Sequence, residues 1–447
     1  MQAAIVRQGV VAMALVWDVI VIGGGLSGMA AAHTLATAGQ RVLLLERNGW
    51  LGGRAAAVPG HMAPAFHIYL GCCRSYIGFM QRLGVPLPHA DGLRLSVCIE
   101  KQTGKLVANQ WTPPLHLANS FIRYPFLTIG DKLAVLRGLN ALVREPLPPA
   151  DETFAEWLNR HRQPLRAKKY FWEMISMPAL NAPTDQVAAH LALIVFRLAV
   201  LGNQQASSIS IPPSFSEHIQ PALVTALKRC ASELQLNAFV QRIAPAANGY
   251  RVELANGKQT NTRKLVIALP PSDIVHLLAD TLPVPATLRK AAAIPHCGIL
   301  DVLLVYDRPV CLHPVLVIPG IPAVWIFPQS ATSSGNQAIH VSVSCPGELI
   351  RTPATQAGQW VANYLAKHLR LPSDARLQDV HVRRHLRATF LPNPTYQPWR
   401  PGPQIGLPGL FVAGDWTNTG WPSTMEGAVR SGEAAAQACL SECKDAI

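Results

Sequence analysis

The residues best able to do chemistry lie near the two ends of the chain. Gly23, Gly25 and Gly28 are spaced GxGxxG, with Leu26 and Ser27 between the last two, and Glu46 follows 18 residues after Gly28. Glycines so placed allow a tight turn, a close backbone approach to a pyrophosphate, and close packing of the next helix on the strand. The free N–H groups at that helix start then hold the anion. A carboxylate at Glu46 can accept from both ribose hydroxyls of an adenosine, with Arg47 beside it. Leu51-Gly52-Gly53-Arg54 suits a loop passing under a diphosphate, where Arg54 offers a planar fork of donors. Near the other end, Gly414 allows close approach, and Asp415 can accept from a ribityl hydroxyl or order water on the diphosphate. The segment Thr424-Met425-Glu426 opens a helix whose N–H dipoles can face negative charge on a flavin N1/C2 carbonyl. Together these are the parts of a site for FAD.

Regular elements must position these residues. The apolar run Val19 to Ile22 predicts a strand, the Ala-rich stretch up to Gly39 a helix, and Arg41 to Leu45 a second strand. Pro212-Pro213 opens a predicted helix over Ser214 to Leu236. Strand patterns follow at 238–243, 250–254 and 264–269, with a turn at Asn256-Gly257. Ser272 and Asp273 are candidate caps of a further helix. Strands of a second sheet are expected at 300–306, 315–318, 323–327 and 339–343, a helix at 357–369, and a basic, Pro-rich link from His381 to Pro403. The expected fold is α/β: a discontinuous Rossmann-type FAD-binding domain (1–85, 206–275 and 404–447) with an α+β substrate-binding domain (86–205 and 276–403).

Composition narrows the partners. The net charge of +13 is scattered, with no block of five or more like charges, which argues against nucleic acid and leaves attraction to an anionic membrane surface or no specific role. Leu133, Leu136, Leu139 and Val143 recur at helical spacing among Lys132, Arg137 and Arg144, as expected of a core helix or one lying on lipid. Around it, Trp111 to Arg144 adds Trp111, Phe121, Tyr124, Phe126 and Arg123, a candidate bilayer contact. Trp157, Phe171, Trp172, Met174, Met177 and Leu180 read as an ordinary core or the wall of a lipophilic tunnel. The nine cysteines include the pair Cys72-Cys73 but no CxxC, so a reducing, cytoplasmic setting without disulfides is expected, and no metal site. No stretch reaches the ~18 uncharged apolar residues of a membrane span. The nearest, Val187 to Gly202, is broken by His190 and Arg197. The apolar run Val10 to Trp17 after Arg7 resembles a signal core but lacks a small-residue cleavage site.

Six segments carry a family likeness: GGGLSGMAAAHTLATAGQRVLLLE, LGGRA, HIYLGCC, TFAEWLNRH, FWEMISMPALNAP and AGDWTNTGWPSTMEGAVRSGEAA. They resemble the flavin-dependent amine oxidase and carotenoid desaturase superfamily, and within it the hydroxysqualene dehydroxylases. The resemblance implies FAD contacts from Gly23, Gly25, Gly28, Glu46, Arg54, Gly414, Asp415 and Met425, and from the Val240 backbone on adenine. One departure stands out: where that family carries an Asp-Asn-Gly-Gln-like run, this chain reads Ala63-Pro64-Ala65-Phe66.

The activity implied is reductive removal of a hydroxyl from a C30 isoprenoid to give squalene. The alternatives are carotenoid-type desaturation, amine oxidation, or a flavin-binding assembly factor that presents lipid. Loss of the hydroxyl needs an acid, for which His67 is the candidate. Amine oxidation would want a pair of aromatics, and Trp421 supplies one. The expected partners are a hydrophobic isoprenoid, the inner face of the cell membrane and an unidentified electron donor.

Overall fold

The computed structural model describes residues 16–56, 66–89, 92–333 and 335–442; Ala63, Pro64 and Ala65 lie outside them. Strand β1 (Val16–Ile22) runs through the middle of the first sheet. Val19, Ile20 and Val21 are wholly buried, as befits a parallel strand covered on both faces. It pairs in parallel with β2 (Val42–Leu45) on one edge and with the strand Gln259–Ile267 on the other. Helix α1 (Leu26–Thr37) makes the crossover between β1 and β2. The strand Gln259–Ile267 is shared on its outer edge. Its first half takes Gly249–Leu254 antiparallel, and its last three residues take Leu410–Val412 in parallel. The two ends of the chain therefore meet in one sheet.

Glycine makes that meeting possible. A Cβ at Gly28 would fall 1.8 Å from the Gly23 carbonyl, and one at Gly432 would fall 2.1 Å from the Ser27 carbonyl. Gly432 belongs to the last helix, Met425–Ser441, which thus lies directly on α1.

The second sheet has seven strands, in the order 377–390, 296–306, 337–344, 323–328, 316–318, 94–99 and 102–107. One face carries Leu300, Val302, Leu304, Val341 and Val343 against the helix Ala354–His368. The opposite face turns Val317, Trp325 and Phe327 toward the helical region. There Trp157, Phe171, Trp172, Met174, Met177 and Leu180 are all buried, with ring centroids of Phe154, Trp172 and Phe196 4.7–6.0 Å apart. These side chains pack against one another as a close-packed aromatic core.

Several expectations need correction. The helix expected to reach Leu236 ends at Arg229, Ala231 turns with φ 51°, and Glu233–Gln235 pairs with the open edge of β2. Ser272 and Asp273 do not cap their helix. Pro270 holds that position and Pro271 starts the first turn, where no N–H is needed. The supposed link from His381 begins inside a 14-residue strand, Leu377–Phe390, paired along His296–Tyr306. Its Val380 and Val382 pack inward while charged side chains fill the other positions of an edge strand, and that mixture hides its period.

In the helix Ile129–Arg144 the buried positions are Asp131, Ala134, Val135, Gly138, Ala141 and Leu142. Leu133, Leu136 and Val143 face outward, so for them the core reading fails. Phe121, Tyr124 and Phe126, expected at lipid, are buried instead. Tyr124 Oη donates to the Tyr170 carbonyl at 3.2 Å, and the ring packs edge-on against Phe126.

The Gly432 contact leaves no room for a methyl group. Gly432→Ala is expected to destabilise the protein by about 1–3 kcal/mol through overpacking against backbone. Thermal unfolding of the purified variant, with its flavin content, measures this; an unchanged midpoint would mean that the two helices do not meet this closely.

Candidate functional site

The turn after β1 is built to be approached. Gly23 has φ 105°, and the Gly25 Cα faces open space, with nothing within 4 Å of a Cβ built there. Gly25 is also the N-cap of α1, and no side chain caps that helix end. Its first N–H groups, on Leu26, Ser27 and Gly28, are therefore free of a side-chain acceptor and can take an anion. The next loop closes over the same turn. The Gly52 N–H donates to the Gly24 carbonyl at 2.8 Å, and a Cβ at Gly53 would stand 3.3 Å from the Gly25 Cα. Ser27 itself is buried, with its carbonyl against the last helix.

Glu46 is buried, and it does more than await a ribose. Its Oε2 accepts from the Gly24 N–H at 2.7 Å, and its Oε1 from both the Asn48 N–H and Nδ2 at 2.8 Å. A carboxylate offers about four lone-pair sites, so it can hold the Gly-rich turn and still receive a hydroxyl. Val240 opens its strand nearby, since the Ala238 N–H donates to the Glu46 carbonyl at 2.8 Å. Arg47 is exposed on the same loop.

At the other end of the site, Arg54 and Asp415 are paired with each other. The Arg54 guanidinium donates to Asp415 Oδ1 and to the Ala388 carbonyl (3.1 Å), with its Cζ 5.7 Å from the Phe390 ring centroid. Ser423 Oγ donates to Asp415 Oδ2. Arg54 remains half-exposed, so donors of its fork stay open to a phosphate. Thr424 caps the last helix by accepting from the Gly427 N–H, and Met425 begins it. A Cβ at Gly414 would strike Trp416. An open anion-binding helix end, a buried carboxylate and a glycine-lined cleft fit FAD, whose chemistry is hydride transfer at the flavin ring.

Two buried charges that hold this site were missed in the sequence. Arg400 is buried and donates to the carbonyls of Asp415, Trp416, Thr417 and Trp421 and to Gln397 Oε1, at 2.7–3.3 Å. Burial pulls its guanidinium down to about 10, against a smaller opposing effect of Asp415, so it stays charged at neutral pH. Glu426 is fully buried and accepts from the Ser75 and Tyr76 N–H groups and from Arg430 Nε. It thereby caps α2 (Arg74–Arg82) from another element. Glu426 stands in the Thr424-Met425-Glu426 segment, but its partners Ser75 and Tyr76 lie on another element. Arg400 lies in the Pro-rich stretch, and its role depends on a loop folding around it.

The two catalytic candidates stand apart. His67 is half-buried just before the short strand Tyr69–Leu70. Trp421 is buried with the Arg430 Cζ 4.5 Å from its ring centroid, and among the described residues no aromatic ring pairs with it. His296, in contrast, lies against the Phe390 ring (4.4 Å) beside the Arg54–Asp415 pair. Burial, Arg387 and Arg54 lower its imidazole pKa below the ordinary value, so it is neutral at pH 7.

Removing Arg400 leaves four carbonyls without their donor. Arg400→Met is expected to lower stability by about 3–5 kcal/mol, the cost of breaking a buried charged network, and to release flavin. Denaturant unfolding and absorbance after gel filtration test this; full flavin retention would show that the 415–421 loop holds itself.

Comparison with known proteins agrees with this geometry. The model of flavin containing amine oxidoreductases matches residues 26–440. A hydroxysqualene dehydroxylase of Sinorhizobium fredii is 26% identical, over 95% of this chain and 99% of that protein. A 15-cis-phytoene desaturase of Glycine max is 23% identical, over 95% of this chain and 80% of that protein. A crystal structure of an oxidoreductase from Methanosarcina mazei superposes with a TM-score of 0.73 at 15% identity, covering 95% and 99% of the two chains. With a Gly-rich turn, a buried acid after the second strand and a C-terminal helix in place, the chain belongs to the flavin containing amine oxidoreductase family and is an FAD-dependent oxidoreductase.

Proposed function

We propose that the protein removes the hydroxyl group of a hydroxylated C30 isoprenoid, giving squalene. The observation that carries this reading is the end-to-end likeness to hydroxysqualene dehydroxylase, which is matched over 99% of its length. In this reading Gly23, Gly25, Gly28, Glu46, Arg54, Val240, Gly414, Asp415 and Met425 hold FAD. Departure of the hydroxyl as water would leave a delocalised allylic cation, and FAD held by these residues, once reduced by a donor of the cell, would supply the hydride that quenches it. The tightly packed aromatic core beside the second sheet serves to keep other water out.

Phytoene-type desaturation is the second reading, favoured by the plant relative but over only 80% of that protein. Anaerobic incubation separates the two. Dithionite-reduced protein is expected to convert hydroxysqualene to squalene, and oxidised protein to leave phytoene unchanged. Desaturated product from phytoene, with no squalene from the alcohol, would reverse the assignment.

We further propose that the protein works on the inner surface of the cell membrane, without spanning it. Among the described residues no helix is long and apolar enough to cross a bilayer. Ile129 is 78% exposed and Ile122 69% exposed, and Trp111, Leu133, Leu136 and Val143 stand out from the same segment. Arg123, Arg137 and Arg144 are exposed among them. Apolar side chains ringed by cations suit an anionic bilayer, each cation adding roughly 1 kcal/mol near its surface. In flotation assays the protein is expected to rise with phosphatidylglycerol-containing liposomes, and a triple change of those arginines to Glu to prevent it. Equal flotation of both proteins would place the contact elsewhere.

A further inference from the structure

The dehydroxylation reading requires an acid that the motifs do not supply, and the second sheet carries a candidate. The face turned away from the helix Ala354–His368 is apolar around Val317, Trp325 and Phe327. It then becomes polar in one row across four strands, where register aligns Arg383, Asp301, Ser342 and Trp325. Asp301 is 7% exposed, and its Oδ1 has no hydrogen-bond partner among the described residues. The indole Nε1 of Trp325, 8% exposed, has none either. His385 Nε2 lies 3.1 Å from Asp301 Oδ2.

His340 stands one pair further along the same face, with its ring 4.8 Å from Phe66. Burial lowers the His340 imidazole pKa below its ordinary value, and Asp301 opposes this in part, so His340 is neutral and able to donate or accept. Asp301 Oδ1, Trp325 Nε1 and His385 Nε2, whose approach to Asp301 is a charge contact without hydrogen-bond alignment, are buried on this face without hydrogen-bond partners among the described residues, which costs free energy unless a ligand group satisfies them. The strands that carry them lead away from the cofactor cleft. His296 and Phe390, against Arg54, lie five residues from Asp301 and His385 respectively.

We propose that Asp301, positioned by His385, binds the hydroxyl group of the substrate and gives it the proton with which it departs. The inference rests on the dehydroxylation reading. The C–O bond breaks, its electron pair leaves with oxygen, and the proton from the Asp301–His385 pair completes a molecule of water. The carbon is left as an allylic cation, for which FAD, when bound and reduced, would supply the hydride that completes the hydrocarbon. The pair is then reprotonated from solvent. His340 and Trp325 complete the polar row around the departing oxygen.

The test uses anaerobic, dithionite-reduced holoenzyme in single turnover, following flavin reoxidation and the hydrocarbon formed. Hydroxysqualene is compared with its acetate ester, whose leaving group needs no such proton. Asp301→Asn, nearly isosteric, is expected to slow the alcohol at least ~100-fold, as loss of a general acid does, and to slow the acetate less than about threefold. His385→Gln should slow the alcohol by a smaller factor in the same pattern. Equal slowing of both substrates, or of neither, overturns the proposal.

A binding measurement keeps the two ideas separate. Tryptophan quenching of the oxidised holoenzyme should give about tenfold tighter binding of the alcohol than of squalene, a preference that Asp301→Leu or His385→Leu abolishes while flavin content is kept. Absence of that preference in the wild type overturns the hydroxyl site. A wild type with the preference but no squalene formation overturns the dehydroxylation reading alone.

Discussion

The constraint on which the structure depends is backbone contact between the two ends of the chain. Helix α1 lies on the Gly-rich turn at Gly23 and Gly28, and the last helix lies on α1 at Ser27 and Gly432. At those distances even a methyl group would collide with a carbonyl. Close contact brings large dispersion gains across many atoms, but only while the backbones remain this near. It also brings Asp415 and the start of the last helix to Arg54. The cleft for the cofactor thus exists only once residues far apart in sequence have come together.

Buried charges fix the details within that frame. Glu46 ties the Gly-rich turn to the Asn48 loop, Glu426 caps α2 from the final helix, and Arg400 gathers the carbonyls of the 415–421 loop. Each has several hydrogen-bond partners, which is how a buried charge becomes tolerable and how it specifies one arrangement of its neighbours. The second sheet follows another logic. One face is a plain apolar interface with a helix. The other mixes apolar rings with Asp301, His340 and His385. Asp301 Oδ1 and Trp325 Nε1 there are left without partners, unlike the charges of the cofactor cleft.

Exposed apolar side chains complete the picture. The helix Ile129–Arg144 buries its small residues and presents Ile129, Leu133, Leu136 and Val143. Small residues let the helix sit close to its neighbours, while the large ones leave an apolar surface exposed.

The sequence made the parts of the candidate cofactor site legible because their signals are local. A GxGxxG turn between two apolar runs, an acid 18 residues on, and a Gly-Asp strand end before an Ala-rich helix each state a backbone geometry within a few residues. Second-sheet strands with clear apolar runs, such as 300–306 and 323–327, were legible for the same reason. Period alone could not say which side of the helix 129–144 faces out, because that depends on what packs beside it. The strand Leu377–Phe390 was invisible because an edge strand with one exposed side carries charges that break the apolar alternation. Arg400, Glu426 and the Asp301–His385 pair were beyond reach for a deeper reason. Each gains its role from partners on other elements, through strand register or a loop closing around it. Short-range chemistry was written in the chain, whereas which buried charge meets which acceptor was decided only when the strands and helices came together.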